Sequence, residues 1–226
     1  MRAGCVIVAA GSGERFGGRG AKQFHELGGV PILEWSRRAF HSSPLVDEVV
    51  VVLPPELASA PPDWISALPV TLAAGGATRR TSVQAGLLAL SPAAELVLVH
   101  DAARPFVSEA LIERVCESAV TGPTIPVVPV SDTIKVTGSE GDVIETLDRR
   151  HLVRAQTPQG FPAALLRECH GDAAERGFEA TDDAALCEAA GIAVRTIEGD
   201  PFNLKITTRA DFVYAEWLVG EGIRSL

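Results

Sequence analysis

Recurring apolar runs at residues 6–10, 49–53, 96–99 and 125–130 constrain this chain more than any other feature. Each is almost continuously apolar and rich in valine or isoleucine, without the polar alternation of a strand that has one wet face. Between them lie stretches with helical spacing or helix-start signals, near residues 32–41, 78–90 and 108–120. Ser108 ahead of Leu111 and Ile112 reads as an N-cap opening an apolar helix face. Strands buried on both faces and alternating with helices predict an α/β fold, a three-layer doubly wound domain around a mostly parallel sheet. The 226 residues, 46% of them apolar, suffice to fill one such core, and no repeat or linker divides residues 1–226.

After Val130 the pattern changes. SDTIKVTGSEGDVIETLDRRHLVRAQTPQGF reads as two alternating strands about the turn GSEGD, a hairpin that fits poorly into a parallel core. Residues 131–154 are therefore expected to form a protruding arm, which covers a site or pairs with another subunit, because a lone hairpin is marginal without packing. The α/β pattern then resumes, with helices near 162–170 and 181–190, a strand at 193–197 and a last helix near 209–219.

The formal net charge of -9 argues against a nucleic-acid scaffold, which needs a basic surface to neutralise phosphates. No apolar run approaches the ~20 residues that cross a bilayer, so no membrane partner is expected. Cys5, Cys116, Cys169 and Cys187 are scattered without CxxC or Cys/His spacing and read as reduced structural thiols. The start, MRAGCVIVAAGSGERF, reads as a first core strand rather than a secretory leader, and a cytoplasmic location is the expectation. Among twenty basic residues only Lys22, Lys135 and Lys205 are lysines, which draws attention to places where a compact point charge is kept.

The first strand runs into AAGSGERFGGRGAKQF, placing small residues, a glycine turn, Arg15 and Lys22 at its carboxyl end, where open α/β sheets bind ligands. Glycines let backbone N–H groups approach phosphate oxygens, and the two cations suit a polyphosphate. The segment is neither GxGxxG, since Phe16 stands where the last glycine would be, nor a Walker loop.

AAGSGERFG followed by AKQF resembles the signature of the sugar-nucleotidyltransferase superfamily, and within it KQ is similar to the 2-C-methyl-D-erythritol 4-phosphate cytidylyltransferase family. The resemblance implies a Rossmann-like nucleotidyltransferase fold in which Ala9, Ala10, Gly11 and Gly13 line a CTP site while Arg15 and Lys22 stabilise the transition state. Fixed cations beside the α-phosphate and the departing pyrophosphate would favour that state over the ground state. GGATRRTSVQAGL is similar to the family's second block, so Gly75, Gly76 and Ser82 are expected at the pyrimidine edge. Ala77 and Thr81 depart from acidic residues common there. Without the resemblance, Ser82 would be an ordinary early-helix hydroxyl.

HDAARPFV resembles the family's DAARP block. Asp101 at a strand end can engage a metal-bound phosphate or ribose and is implied as an acceptor contact, Ala102 joins the CTP site, and Arg104 suits the acceptor's phosphate. DTIK and LDRR before TPQGF imply that Thr133 and Arg149 reach the acceptor pocket of a neighbouring subunit, hence a homodimer. Thr181 of TDDAAL is implied as an acceptor contact, with a helix cap as the local alternative. FNLKIT carries Lys205 on an expected strand, matching the family's second lysine. These blocks keep the family's order from Ala9 to Thr207.

The reaction so implied is in-line attack by a polyol-phosphate oxygen on the α-phosphorus of CTP, with Mg²⁺ held mainly by the nucleotide's phosphates and pyrophosphate leaving. Lys22 and Arg15 act on the triphosphate; Lys205 and Arg149 orient the acceptor. Ribitol 5-phosphate is the rival acceptor, and an inactive nucleotide-binding subunit the rival of another class.

Overall fold

The computed structural model describes residues 2–11 and 21–225. Strand β1 is Ala3–Val8, and the small hairpin β2 (Glu26–Leu27) and β3 (Val30–Pro31) precedes helix α1, Ile32–His41. Then follow β4 (Glu48–Leu53), two short helices α2 (Pro55–Ser59) and α3 (Asp63–Ser66), β5 (Thr71–Ala74) and α4 (Arg79–Ala89). The next units are β6 (Leu96–Asp101), α5 (Glu109–Ala119) and β7 (Thr124–Pro129). The arm hairpin β8 (Lys135–Thr137) and β9 (Val143–Thr146) leads to β10 (Val153–Ala155) and β11 (Gln159–Pro162). Helices α6 (Ala163–Glu175) and α7 (Asp183–Ala189), strand β12 (Arg195–Glu198) and helix α8 (Arg209–Gly220) complete the order.

The main sheet runs β10-β7-β11-β6-β1-β4-β5, with β12 paired in parallel to β7. Strand β1 pairs in parallel with both β4 and β6, and β4 with β5. The apolar runs alternate between two cores, as strands wet on neither face must. Cys5, Ile7, Val51 and Leu98 pack with α1 and α5 on one side. Val6, Val50, Val52, Val97 and Val99 pack with α4 and α6 on the other. A third cluster seats α8 through Phe212, Ala215 and Leu218 on Leu27, Ile32 and Trp35. Each fully buried aliphatic side chain contributes about 1.5–3 kcal/mol relative to an exposed one. The doubly wound fold is as expected, and no helix among the described residues is long and apolar enough to cross a membrane.

The segment after Val130 divides differently from the expectation. Only Lys135–Thr137 and Val143–Thr146 form the separate hairpin. Val153–Ala155 pairs antiparallel with β7, and Gln159–Pro162 enters the sheet antiparallel between β6 and β7. Gly160 permits that insertion: a Cβ there would lie 2.7 Å from Ala119 Cβ and from a Val115 methyl of α5. Thr133 precedes β8, and Lys205 lies in irregular chain rather than on a strand.

Candidate active site

Strand register brings the functional segments to one edge. Val8 at the end of β1 lies opposite Val52 in β4 and Asp101 in β6, while Leu53 lies opposite Ala74 in β5. The chain leaves β1 for β4 and β5 on one side, then returns to β6 on the other. The crevice between β1 and β6 is therefore a topological switch point, the place where such sheets bind ligands. A cavity of about 760 Å³ opens there.

Its floor is the backbone after β1 and the glycine turn after β5. The amide of Gly75 donates to Leu53 O at 2.7 Å, and a Cβ at Gly75 would stand 2.4 Å from Ala10 Cβ. Only a hydrogen there lets the two loops touch. Gly76 is held by Ser82, whose buried Oγ accepts from the Gly76 amide at 3.1 Å and donates to Thr78 O at 2.8 Å. Thr78 and Thr81 form a reciprocal capping box that starts α4. Thr81 thus performs the backbone-capping role that a Glu or Gln commonly fills. Ser82 reaches the cavity wall while already committed to shaping the glycine turn.

Lys22 opens a single 3-10 turn, Lys22–Phe24. The next residue fastens it: buried Gln23 donates Nε2–H to Ala9 O and to Gly11 O, the latter at 3.1 Å. Both carbonyls belong to the loop after β1, so Lys22 is held against the wall of the same cavity. Asp211 in the first turn of α8 feels its positive charge. Gln23 was legible in sequence only as half of the KQ pair; its positioning role follows from the two carbonyls it joins.

Asp101 lines the same cavity as Lys22. Lys205 Nζ lies 2.7 Å from Asp101 Oδ2, Arg79 Nε 3.6 Å from Oδ1, and Arg104 Nε 4.0 Å from Oδ2. Burial by itself would raise the Asp101 carboxyl. Lys205 first, then Arg79 and Arg104, outweigh burial and hold it well below the usual carboxylate range. The carboxylate stays ionised and fixes the Lys205 ammonium at the mouth of the crevice.

A buried network aims this aspartate. The Asp101 amide donates to Thr157 Oγ1 at 3.1 Å, and Thr157 Oγ1 is 3.0 Å from His100 Nδ1. His100 Nε2 lies 3.1 Å from Arg104 O, which can only accept, so Nε2 carries the proton and Nδ1 accepts from the Thr157 hydroxyl. Burial lowers the His100 pKa to about 4, with Arg104 and Lys205 acting in the same direction against the Arg104 carbonyl and Asp101. Asn203 Nδ2 donates to Thr157 O at 2.7 Å, tying the loop that carries Lys205 to the same strand end. Asp211 closes that loop by accepting from the amides of Thr207 and Thr208 at 2.8 and 2.7 Å.

This geometry can be set beside known proteins. Residues 4–221 match the family described as IspD, 2-C-methyl-D-erythritol 4-phosphate cytidylyltransferase. The chain belongs to that family. A 2-C-methyl-D-erythritol 4-phosphate cytidylyltransferase of Nostoc punctiforme is 40% identical over 230 residues, covering 95% of this chain and 96% of its own. A bifunctional IspD/IspF enzyme of Bradyrhizobium diazoefficiens is 47% identical over 222 residues, covering 96% of this chain. The chain spans about half the length of such bifunctional relatives, 55% in that case. The crystal structure of the cytidylyltransferase of Thermus thermophilus superposes with a TM-score of 0.82 at 41% identity, covering 95% of this chain and 98% of that one.

Membership of the IspD family gives the placement of the expected residues its meaning. Ala9, Ala10, Gly11 and Gly76 line the cavity. Asp101, Ala102, Lys22 and Lys205 line it as well, and Gly75 packs against Ala10. Arg15 and Gly13 lie outside the described residues. Arg104 is buried and donates to Asn203 O at 2.8 Å and Ala155 O at 3.2 Å, so its guanidinium joins the Lys205 loop to β10. Thr133 and Arg149 sit exposed at the base of the arm, where Arg149 donates to Ser131 O. Thr181 is exposed just before Asp182, which supplies the actual N-cap of α7 by accepting from the Ala185 amide. The local alternative of a helix cap thus falls one residue later than Thr181. Arg79 belongs to the site as well, since it lines the cavity beside Asp101.

Among the described residues no three His, Cys, Asp or Glu side chains converge as a metal cage. Among the described residues, Asp101 is the one carboxylate on the cavity wall, and it is engaged by Lys205.

Proposed function

We propose that this chain is a cytidylyltransferase that transfers CMP from CTP to 2-C-methyl-D-erythritol 4-phosphate, forming 4-diphosphocytidyl-2-C-methyl-D-erythritol and pyrophosphate, a step toward isoprenoid precursors. The observation that carries the reading is the convergence of Lys22 and Lys205, from opposite ends of the chain, on one glycine-floored cavity at the switch point. The cavity's size suits a nucleotide, since small-molecule sites commonly measure about 300–1,000 Å³.

The acceptor's phosphate is already anionic near neutral pH, so catalysis rests on positioning and charge neutralisation rather than on a general base. Lys22 faces the triphosphate and offsets the charge that grows on the departing pyrophosphate. Lys205, held by Asp101, orients the acceptor. Among the described residues of the cavity wall, Asp101 is the carboxylate that would stand beside a magnesium ion bound with the nucleotide, and the ion would supply charge neutralisation at the phosphate oxygens.

The arm is read as a dimer element. Val143, Ile144 and Val153 are more than half exposed, an apolar surface that a second copy of the chain would cover. In that arrangement Thr133 and Arg149 complete the partner's acceptor site. The cytoplasm, where CTP is made, is the proposed location.

The test is pyrophosphate release with CTP and 2-C-methyl-D-erythritol 4-phosphate, repeated with ribitol 5-phosphate and with ATP, GTP and UTP. Release confined to the first pair is expected. Preference for ribitol 5-phosphate would reassign the acceptor, and CTP binding with no release from any mixture would make the chain a regulatory subunit.

A further inference from the structure

Helices α4, α6 and α7 meet behind the cavity around a carboxylate that the proposed reaction does not use. Asp183, the first residue of α7, is only 1% exposed. Its Oδ2 accepts from Arg79 Nη1 at 2.7 Å, and its Oδ1 takes His170 Nε2 at 2.9 Å. Its position is fixed from a third direction, since Gln159 Oε1 accepts from the amides of Asp183 and Ala184 at 3.1 and 3.2 Å. A carboxylate so enclosed cannot turn away from Arg79.

Arg79 therefore stands between two acids. It opens α4, where the positive end of the helix disfavours a cation, so only neighbouring carboxylates can hold it there. Towards Asp183 it makes a short charge-assisted hydrogen bond; towards Asp101 its Nε stops at 3.6 Å, beyond hydrogen-bond reach. Among the described residues Lys205 makes the one short ionic contact to Asp101, at 2.7 Å. Burial alone would raise the Asp183 carboxyl, yet Arg79 and then His170 keep it lowered, so the opposing charge is present near neutral pH. A second sign that Arg79 is held for position is its buried Nη2, which has no hydrogen-bond partner among the described residues.

We propose that Asp183, braced by His170, is a positioning residue: it holds Arg79 off Asp101 and so leaves Asp101 to fix Lys205 at the acceptor side of the cavity. The inference rests on the reaction proposed above for its kinetic consequence, but its geometric core does not. With Asp183 neutralised, Asp101 is the carboxylate left in ionic contact with Arg79, the guanidinium closes on it, and the Lys205 ammonium is displaced.

The first test is a crystal structure of Asp183→Asn, which assumes nothing about chemistry. Arg79 within hydrogen-bond distance of Asp101 and Lys205 moved out of it is the expected result; Lys205 still paired with Asp101 at its present distance overturns the proposal. The second is kinetic. Asp183→Asn is expected to raise the KM for the acceptor about tenfold while the Kd for CTP, measured by calorimetry, moves by less than about threefold. A general packing defect would weaken both.

Adding Arg79→Met to Asp183→Asn removes the guanidinium that closes, and the double variant should regain acceptor KM over the single one. No regain refutes the mechanism. Should Asp183→Asn fail to fold, His170→Phe keeps both charges while removing the brace; it should shift acceptor KM in the same direction, and His170→Gln, which restores an N–H donor, should shift it less. Equal KM in wild type and His170→Phe would count against the inference. A wild-type enzyme that releases no pyrophosphate would sink the reaction alone, leaving the crystallographic comparison to decide the positioning claim.

Discussion

The neutral, fully buried His100 makes folding stability depend on pH in a way that can be worked out in advance. Its pKa in the folded chain is about 4 against an ordinary 6.5. The folded value lies below the unfolded one, so between them the unfolded chain binds more protons and stability rises with pH. The contribution is fully present above about pH 6.5 and is lost as pH falls towards 4. Integrating between pH 7 and pH 5 gives a loss of about 2 kcal/mol from this one group. The structural reason is specific: a proton added at Nδ1 would face Thr157 Oγ1, whose hydroxyl hydrogen already points there, in a site that also feels Arg104 and Lys205. The assay is urea unfolding of wild type and His100→Gln at both pH values, comparing ΔG from midpoint and slope. The Gln variant is expected to be less stable at pH 7 by about 1–3 kcal/mol, having lost part of a buried network, but its further loss at pH 5 should be smaller than that of wild type by about 2 kcal/mol. An equal loss in both proteins would show that His100 does not titrate as its burial demands.

Three further outcomes follow from the cavity. Lys22→Ala should lower kcat by about 10²–10³ while the urea midpoint barely moves, because the side chain belongs to a loop outside the apolar clusters; turnover near wild type would remove Lys22 from the chemistry. Gly75→Ala should weaken CTP binding by about tenfold or more in a calorimetric titration, since the added Cβ drives into Ala10 Cβ at 2.4 Å and must move the first loop. Unchanged affinity would mean that the loop contact does not shape the nucleotide site. Mixing inactive Lys22→Ala and Arg149→Ala chains should restore part of the activity if the arm serves the partner's site, and a mixture as inactive as its components would assign Arg149 to its own chain.

How much of this could be read from one sequence depends on whether a feature is local. The strands at Glu48–Leu53 and Leu96–Asp101 and the helix Ile32–His41 declare themselves through valine-rich runs and helical spacing, because both faces of the sheet must be apolar. Thr71–Ala74 escaped notice: it is a four-residue edge strand whose residues are partly exposed, so nothing in its composition demands a strand. Gln159–Pro162 was missed for the opposite reason. It lies buried in the middle of the sheet, yet its glycine and proline disfavour a strand in isolation; the close approach of α5 explains Gly160, and Pro162 ends the strand at the N-cap of α6. FNLKIT alternates like a strand, but its backbone is spent elsewhere: Ile206 N donates to Ala103 O and Asn203 O accepts from Arg104.

The site divides along the same line. Residue types at fixed offsets, such as KQ after a glycine loop or DAARP after a strand, name the cations and the carboxylate without saying which holds which. That choice is made by register. With Val8 opposite Asp101, the acid is carried to the crevice beside β1; with Ile206 bonded to Ala103, Lys205 is carried to the acid. A one-residue slip of β6 against β1 would turn Asp101 to the other face of the sheet and leave a lysine, two arginines and a buried histidine without the charge that organises them. The catalytic promise of the motifs is thus conditional on strand pairing, and the charges converge because the observed register sets the ends of β1 and β6 side by side at the switch point.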